Sequence, residues 1–260
     1  MCLVLIAIEV VARWPLLLLA NRDEFHGRAS AAAAPWPEDA RVAGGRDLVA
    51  GGSWLAARSD GRFAAVTNLR SGLPATAPRS RGALVRDFVL GDAMPARYLE
   101  DVHAVSGDYG PFNLIVADSA QVQLLSSAGG AARALDAGIH VVSNGAPGAH
   151  WPKTQRLQVR FEEWLHAGAA DDGAALDLLL DHEQPVDESL PRTGVGIELE
   201  RMLAPIFVDG GHYGTRASTL LVRDAAGGMR LRERRFGEHA RPQGEDQWCA
   251  QRATAFTRCG

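Results

Sequence analysis

Met1-Cys2-Leu3-Val4-Leu5-Ile6-Ala7-Ile8, a break at Arg13-Trp14-Pro15, and then Leu16-Leu17-Leu18-Leu19-Ala20-Asn21-Arg22-Asp23-Glu24 make up the stretch from which the fold can be read. Residues 3 to 11 and 16 to 20 are aliphatic, and the Arg-Trp-Pro between them is turn chemistry, so the two runs read as an antiparallel hairpin. Such a hairpin returns the polar tetrapeptide 21–24, at the end of its second strand, to the start of its first, and so to Cys2. With Met1 removed, Cys2 carries a thiol and a free α-amino group on one residue. A thiol attacks as thiolate and ordinarily has a pKa of about 8.5; an α-amino group, near 8, can take that proton at neutral pH.

The 260 residues, 47% apolar and 22% charged, are enough for a full-sized core. One domain is expected over residues 1–236, with a polar, partly ordered tail over 237–260. A formal net charge of -4 gives no electrostatic reason to expect nucleic acid or an anionic membrane as partner. Cys2, Cys249 and Cys259 are too few and too scattered for a disulfide framework or a closed zinc site, which fits a reducing compartment. No basic residue precedes Leu3 to Val11, Glu9 interrupts it, and no small-residue cleavage site follows, so it does not read as a signal peptide. No stretch approaches a membrane span, and the cytosol is the default location.

Further along, the Ala/Pro-rich stretch from Ala29 to Ala40 reads as a loop holding Trp36 between Pro35 and Pro37. Strands are expected over 51–57 and 62–69 around Asp60-Gly61, then a turn at Ser71-Gly72-Leu73-Pro74. Helices are expected over 81–90, with Leu84, Val85, Phe88 and Val89 on one face, and near 96–105, 151–166 and 176–181, with a short element over 198–203. Strands are expected at 112–117, 121–126, 139–142, 218–222 and 229–236. Strand hairpins with helices between groups of them indicate an α+β layered domain with antiparallel sheets. No Gly-x-Gly-x-x-Gly follows a strand, which disfavours a dinucleotide fold.

Acyl transfer needs donors aimed at a developing oxyanion, and asparagines at strand ends are held rigidly enough to serve. Asn68 and Asn144 are so placed, and Asn21 is a third candidate. Alternation along an extended strand puts Asn21 and Asp23 on one face and Arg22 and Glu24 on the other, so at least half of the tetrapeptide should be structural. Arg216, in the polar run Tyr213 to Thr219, could bind a carboxylate or phosphate, or neutralise Asp23 or Glu24. The eight histidines show no metal-ligand spacing, so no metal is expected.

Met1-Cys2, Leu18 to Phe25, Ala43 to Leu48, Gly51 to Leu55 and Gly61 to Arg70 closely resemble the NRDE family, also called the transport-and-Golgi-organisation protein 2 family. The resemblance continues through Ser80-Arg81-Gly82, Phe112-Asn113-Leu114, Ser143-Asn144, Trp151-Pro152-Lys153, Thr193-Gly194-Val195 and Tyr213 to Thr219, over about residues 1 to 236. That family looks related to N-terminal-nucleophile hydrolases of the choloylglycine hydrolase and penicillin V acylase type. The resemblance implies a four-layer αββα sandwich, with Cys2 matching the nucleophile, Asn68 the early oxyanion-hole asparagine and Asn144 the later asparagine. Those acylases place an Arg and, three residues on, an Asp after the second strand. Here Asn21 and Glu24 fall at those places, making them the expected partners of Cys2 and leaving Arg22 and Asp23 to hold the hairpin end.

Members of the family have been linked to intracellular haem trafficking and, less directly, to lipid or acyl-CoA metabolism. The Golgi name belongs to animal relatives and does not transfer to this bacterial-looking chain. The leading expectation is therefore a cytosolic binding and transfer protein on a hydrolase fold with haem as cargo. It would have a cleft of Trp and Leu rimmed by Arg, and would need no cofactor of its own. The alternatives are a Cys2 amidohydrolase acting on a C–N amide bond, and an acyl-CoA or lipid binder using Arg70 and Arg216 for phosphates.

Overall fold

The computed structural model describes residues 2–70, 72, 77–168 and 171–260. Met1, and all of the turn expected at 71–74 except Gly72, lie outside the described residues. The opening hairpin is present as β1 (Cys2–Val11) and β2 (Trp14–Phe25). Ala12 and Arg13 make the turn, so Trp14 and Pro15 already belong to β2, which runs on through the tetrapeptide. The register sets Leu5 opposite Leu19 and Cys2 opposite Arg22.

The stretch expected as a loop from Ala29 to Ala40 is instead a second hairpin, β3 (Ser30–Trp36) and β4 (Asp39–Asp47). Alanine has little intrinsic strand preference, so pairing decides here, and Pro35 is tolerated because β3 is an edge strand. Trp36 is buried, its indole N–H donating to Gly44 O at 2.9 Å. An antiparallel meander follows through β5 (Leu55–Arg58), β6 (Arg62–Asn68), β7 (Phe112–Ala117), β8 (Val122–Ser126) and β9 (Arg133–Leu135), so one sheet runs β3 to β9 in chain order. The remaining strands are β10 (Gly138–Val142), β11 (Tyr213–Arg223), β12 (Met229–Phe236), β13 (Pro242–Ala250) and β14 (Thr257–Arg258). They build the other sheet around the first hairpin in the order β10-β1-β2-β11-β12-β13-β14.

Strand alternation then dictates the layers. Val4, Ile6, Leu16 and Leu18 pack between the sheets against Phe63, Ala65, Ile115 and Leu124. Leu3, Leu5, Leu17 and Leu19 point the other way, onto α3 (Pro152–His166) and α4 (Asp172–Asp177). Ala56, Ala64, Leu114 and Val116 meet α1 (Arg81–Leu90) and α2 (Pro95–Ala104) on the outer face of the second sheet, α1 through the four residues expected. A short α5 (Ile197–Met202) precedes β11. The domain is thus an α+β, four-layer αββα sandwich, and the leucine run is apolar throughout because both faces of β2 are covered. Helix α4 starts four residues before its expected place because the Asp171 carboxylate caps it, accepting from Ala174 N at 2.8 Å. No helix among the described residues is long and apolar enough to cross a membrane.

The residues after 236, expected as a polar tail, extend the sheet: β13 pairs along β12, and Ala250 and Phe256 join the core between the sheets. Polar side chains hid this strand because it lies near the sheet edge, where main-chain pairing rather than burial holds it. The cysteines expected to form no disulfide framework include one bonded pair, Cys249–Cys259, with Cα atoms 5.2 Å apart. Closing so short a loop stabilises by about 2–3 kcal/mol. Cys259→Ser should lower the free energy of unfolding by that amount in a denaturant titration without abolishing folding.

One carboxyl is buried between the sheets. Glu233 of β12 reaches to β3, where its Oε1 accepts from Ala33 N at 2.8 Å, and burial pushes its pKa from 4.5 up to about 7. Between those values the folded state keeps a proton that the unfolded chain has lost. This contribution to stability is therefore full below pH 4.5 and is lost as pH rises through 7, by about 3 kcal/mol in total. The stability difference between wild type and Glu233→Gln should change by that amount between pH 4.5 and 7.5; no change would show Glu233 ionising normally.

Candidate functional site

Cys2 begins β1 and, by alternation with Val4 and Ile6, faces the space between the sheets. There it opens into a cavity of about 480 Å³, lined from the first sheet by Arg22, Asp23 and Glu24 and from the second by Trp54, Val66 and Asn68. Arg28, Asp47, Arg79, Ser80 and Arg81 complete the wall. The start of α1 closes on this wall because Ser53 N donates to Gly82 O at 3.1 Å. A Cβ on Gly52 would stand 2.3 Å from the Gly82 carbonyl carbon, so only glycine admits this approach.

Asn68, at the end of β6, is held by Asn144. The Asn144 side-chain amide donates to Asn68 O at 2.9 Å and to Asn68 Oδ1 at 3.2 Å. With Oδ1 so engaged, the Asn68 Nδ2 has no hydrogen-bond partner among the described residues and is the donor available to the cavity. Asn144 is itself fully buried and does not line the cavity. Its turn is fixed by Thr67, whose hydroxyl donates to Ser143 O at 2.7 Å, and by Asn113, whose amide donates to Ser143 O and Gly145 O at 3.0 and 2.9 Å. Of the two asparagines expected to act together, Asn68 lines the cavity with Cys2, and Asn144 holds Asn68 from behind.

The tetrapeptide distributes differently from expectation. Asn21, an expected partner of Cys2, lies on the helix-facing side of β2. Its amide donates to Leu179 O and Ile206 O at 3.0 and 2.9 Å, and its Oδ1 accepts from Ser218 at 2.6 Å. Arg22, expected to hold the hairpin end, is buried directly across from Cys2 with its guanidinium 4.3 Å above the Trp54 ring. Glu24 lines the cavity, 3.8 Å from both Arg22 and Arg28. Asp23, expected to be structural, both accepts from the Thr215 hydroxyl at 2.7 Å and lines the cavity. The comparison of spacings misplaced these residues because β2 does not end before the tetrapeptide, so cross-strand register assigns the faces.

Beneath Asp23 lies Lys153, which the sequence marked only within Trp151-Pro152-Lys153. It is 3% exposed, donates to Leu203 O at 3.2 Å, and burial pushes its pKa down to about 8, opposed by the charge of Asp23. Burial raises Asp23 in turn, with Lys153 opposing. Burial also pushes the Cys2 thiol up, and Asp23 and Glu24 add to this while Arg22 counters it. The thiol is therefore kept protonated by its surroundings and needs a base to become a nucleophile.

Two expected ligand-binding arginines are placed elsewhere. Arg70 lies outside the cavity, paired with Glu200 at 2.5 Å and stacked 4.7 Å over Trp151. Arg216 donates to the carbonyls of Phe25 and Arg28 and pairs with neither Asp23 nor Glu24. Of the tryptophans, Trp54 lines the cavity, Trp36 fills the core, and Trp151 lies under Arg70. Among the described residues the apolar lining is Trp54, Val66 and Ala77, and no histidine lines the cavity. Among the described lining residues, charged and polar side chains outnumber apolar ones, and Cys2 is able to ligate a haem iron. No group of three or more His, Cys, Asp or Glu among the described residues is placed to hold a metal ion.

A family model described as transport and Golgi organisation 2 matches residues 1–238. The chain is 31% identical over 236 residues to a transport and Golgi organization protein 2 homolog from Bos taurus, and 30% identical over 236 residues to that from Homo sapiens. Each match covers 84% of this chain and 86% of the relative. Among solved structures it is similar to a Caenorhabditis elegans N-acylethanolamine-hydrolyzing acid amidase ortholog, with 14% identity, a TM-score of 0.48, and coverage of 85% and 92% of the two chains. It is also similar to the C2A mutant of a conjugated bile acid hydrolase from Clostridium perfringens, with 6% identity, a TM-score of 0.45, and coverage of 100% and 97%.

Proposed function

The chain belongs to the transport and Golgi organisation 2 family, and on the geometry of its cavity we propose that it is a thiol-dependent amidohydrolase with Cys2 as nucleophile. The observation that carries this reading is the convergence of Cys2 and Asn68 from facing sheets on one polar cavity. Once Met1 is removed, the α-amino group of Cys2 takes the thiol proton. The thiolate adds to an amide carbonyl, and the Asn68 amide donates to the developing oxyanion. Collapse breaks the C–N bond, forms a thioester on Cys2 and returns the proton to the leaving amine. Water then hydrolyses the thioester to release the acid. Arg22, Arg28, Arg79 and Arg81 favour substrates with polar or anionic groups near the scissile bond.

Intact mass spectrometry tests the premise and the step together. The purified chain should lack Met1 and gain one acyl mass on Cys2 when treated with a β-lactone; retention of Met1 would end this reading. Haem cargo is a second reading, favoured by the arginines around Cys2, which could meet two propionates while the thiolate meets iron. It requires a shift of the Soret band at micromolar haem, reversed by acyl-CoA if the same arginines take phosphates.

A further inference from the structure

Beside the Cys2 cavity, and sharing Arg22 and Trp54 with it, lies a second cavity of about 580 Å³, within the size range of small-molecule sites. Its charged lining is Arg22, Arg216, Arg235, Arg241 and the buried Glu233. The fold gathers these side chains by specific means. The register of β11 against β2 shifts between Thr215 and Ala217, so Arg216 is the extra residue of a bulge and leaves the strand's alternation. Arg235 enters from β12 opposite Ala217, and Arg241 from the turn before β13. Arg22 is fixed over Trp54, making the wall between the two cavities.

The charges do not cancel. Arg22 has Glu24 at 3.8 Å, and Arg235 has Asp246 as its partner. Among the described residues, Arg216 and Arg241 pair with no carboxylate. Arg216 spends one terminal nitrogen on two carbonyl oxygens, while its buried Nε has no hydrogen-bond partner among the described residues. Burial, and then the like charge of Arg22, push the Arg216 guanidinium's pKa down, and an anion in the cavity would counter both. Glu233, the acid at the base, is raised by burial to about 7 and is therefore partly neutral at physiological pH, which weakens its opposition to a bound anion.

We propose that this second cavity is a binding site for an anionic group, phosphate or carboxylate, held between Arg216 and Arg241 and walled from Cys2 by the Arg22–Trp54 stack. The site stands apart from any reaction at Cys2.

Calorimetric titration of the full chain at low ionic strength tests this, with inorganic pyrophosphate in one arm and citrate in the other. Arg216→Gln and Arg241→Ala are compared with Arg97→Ala, which removes an exposed arginine of α2 paired with Asp101. Saturable one-to-one binding is expected in at least one arm, the responding arm identifying phosphate or carboxylate. Affinity should fall about tenfold or more in Arg216→Gln and Arg241→Ala and stay unchanged in Arg97→Ala. Melting curves establish that each variant is folded; Arg241 is exposed and its truncation leaves no buried group behind. Absence of saturable heat in both arms, or affinity in the two variants equal to that of Arg97→Ala, would show an adventitious ion only and overturn the proposal. No turnover is measured, so failure of amide hydrolysis at Cys2 leaves this outcome unaffected.

Discussion

Cys2→Ser should lower the rate of acyl transfer to the protein by at least about a thousandfold, the scale on which removal of a catalytic nucleophile acts. The size follows from the site's composition: no other cysteine lines the cavity, and among the described residues its serines, Ser53 and Ser80, carry no α-amino group of their own to take their protons. The Ser53 hydroxyl is already committed, its one proton lying within reach of Gly45 O at 2.7 Å and Leu55 O at 2.9 Å. Asn68→Ala should reduce the same rate by about a hundredfold or more while leaving reaction with iodoacetamide, which forms no oxyanion, unchanged. Single-turnover acylation followed by intact mass measures both. A Cys2→Ser protein acylated at the wild-type rate would place the nucleophile elsewhere.

The second large effect is on stability. Arg70 and Glu200 form an ion pair with side chains 3% and 4% exposed, and Glu200 also accepts from the Thr193 N–H and hydroxyl at 2.8 and 2.7 Å. Arg70→Met keeps most of the stem's packing over Trp151 but leaves the carboxylate buried without this cation. The expected loss is about 3–5 kcal/mol in a denaturant titration. Glu200→Gln in the Arg70→Met background should recover a large part of that loss, because the uncompensated charge and not the missing contact carries it. A single-variant loss under about 1 kcal/mol would show the pair to be solvated. The Arg70 backbone N–H, which donates to Asn144 O at 2.8 Å, survives the substitution, so the hold on Asn68 should persist in molecules that remain folded.

Legibility of the site followed how local its determinants were. The first hairpin and the helix over Arg81–Leu90 were readable because their apolar spacing is a property of a few neighbouring residues. Asn68 and Asn144 were readable as strand ends, yet which of them lines the cavity depends on a turn fixed by Thr67 of β6 and Asn113 of β7. Lys153, the single lysine of the chain, was marked only within Trp151-Pro152-Lys153, since nothing near it in sequence says that it is buried within reach of the Asp23 charge. The alanine hairpin and the last strands were missed because main-chain pairing with β4 and β12 stabilises them without an apolar pattern.

The sequence by itself determined the family, an α+β layered domain with antiparallel sheets and a thiol at the second residue, since each rests on residue identity or short-range periodicity, and the αββα order came through resemblance to the family. Only the tertiary structure decided what surrounds that thiol. Register across β1 and β2 put Arg22 rather than Asn21 beside Cys2, and a bulge in β11 sent Arg216 into a second cavity. The physical reason is the two-residue period of a strand: a shift of one position, set by pairing with a distant segment, exchanges the faces of every side chain beyond it.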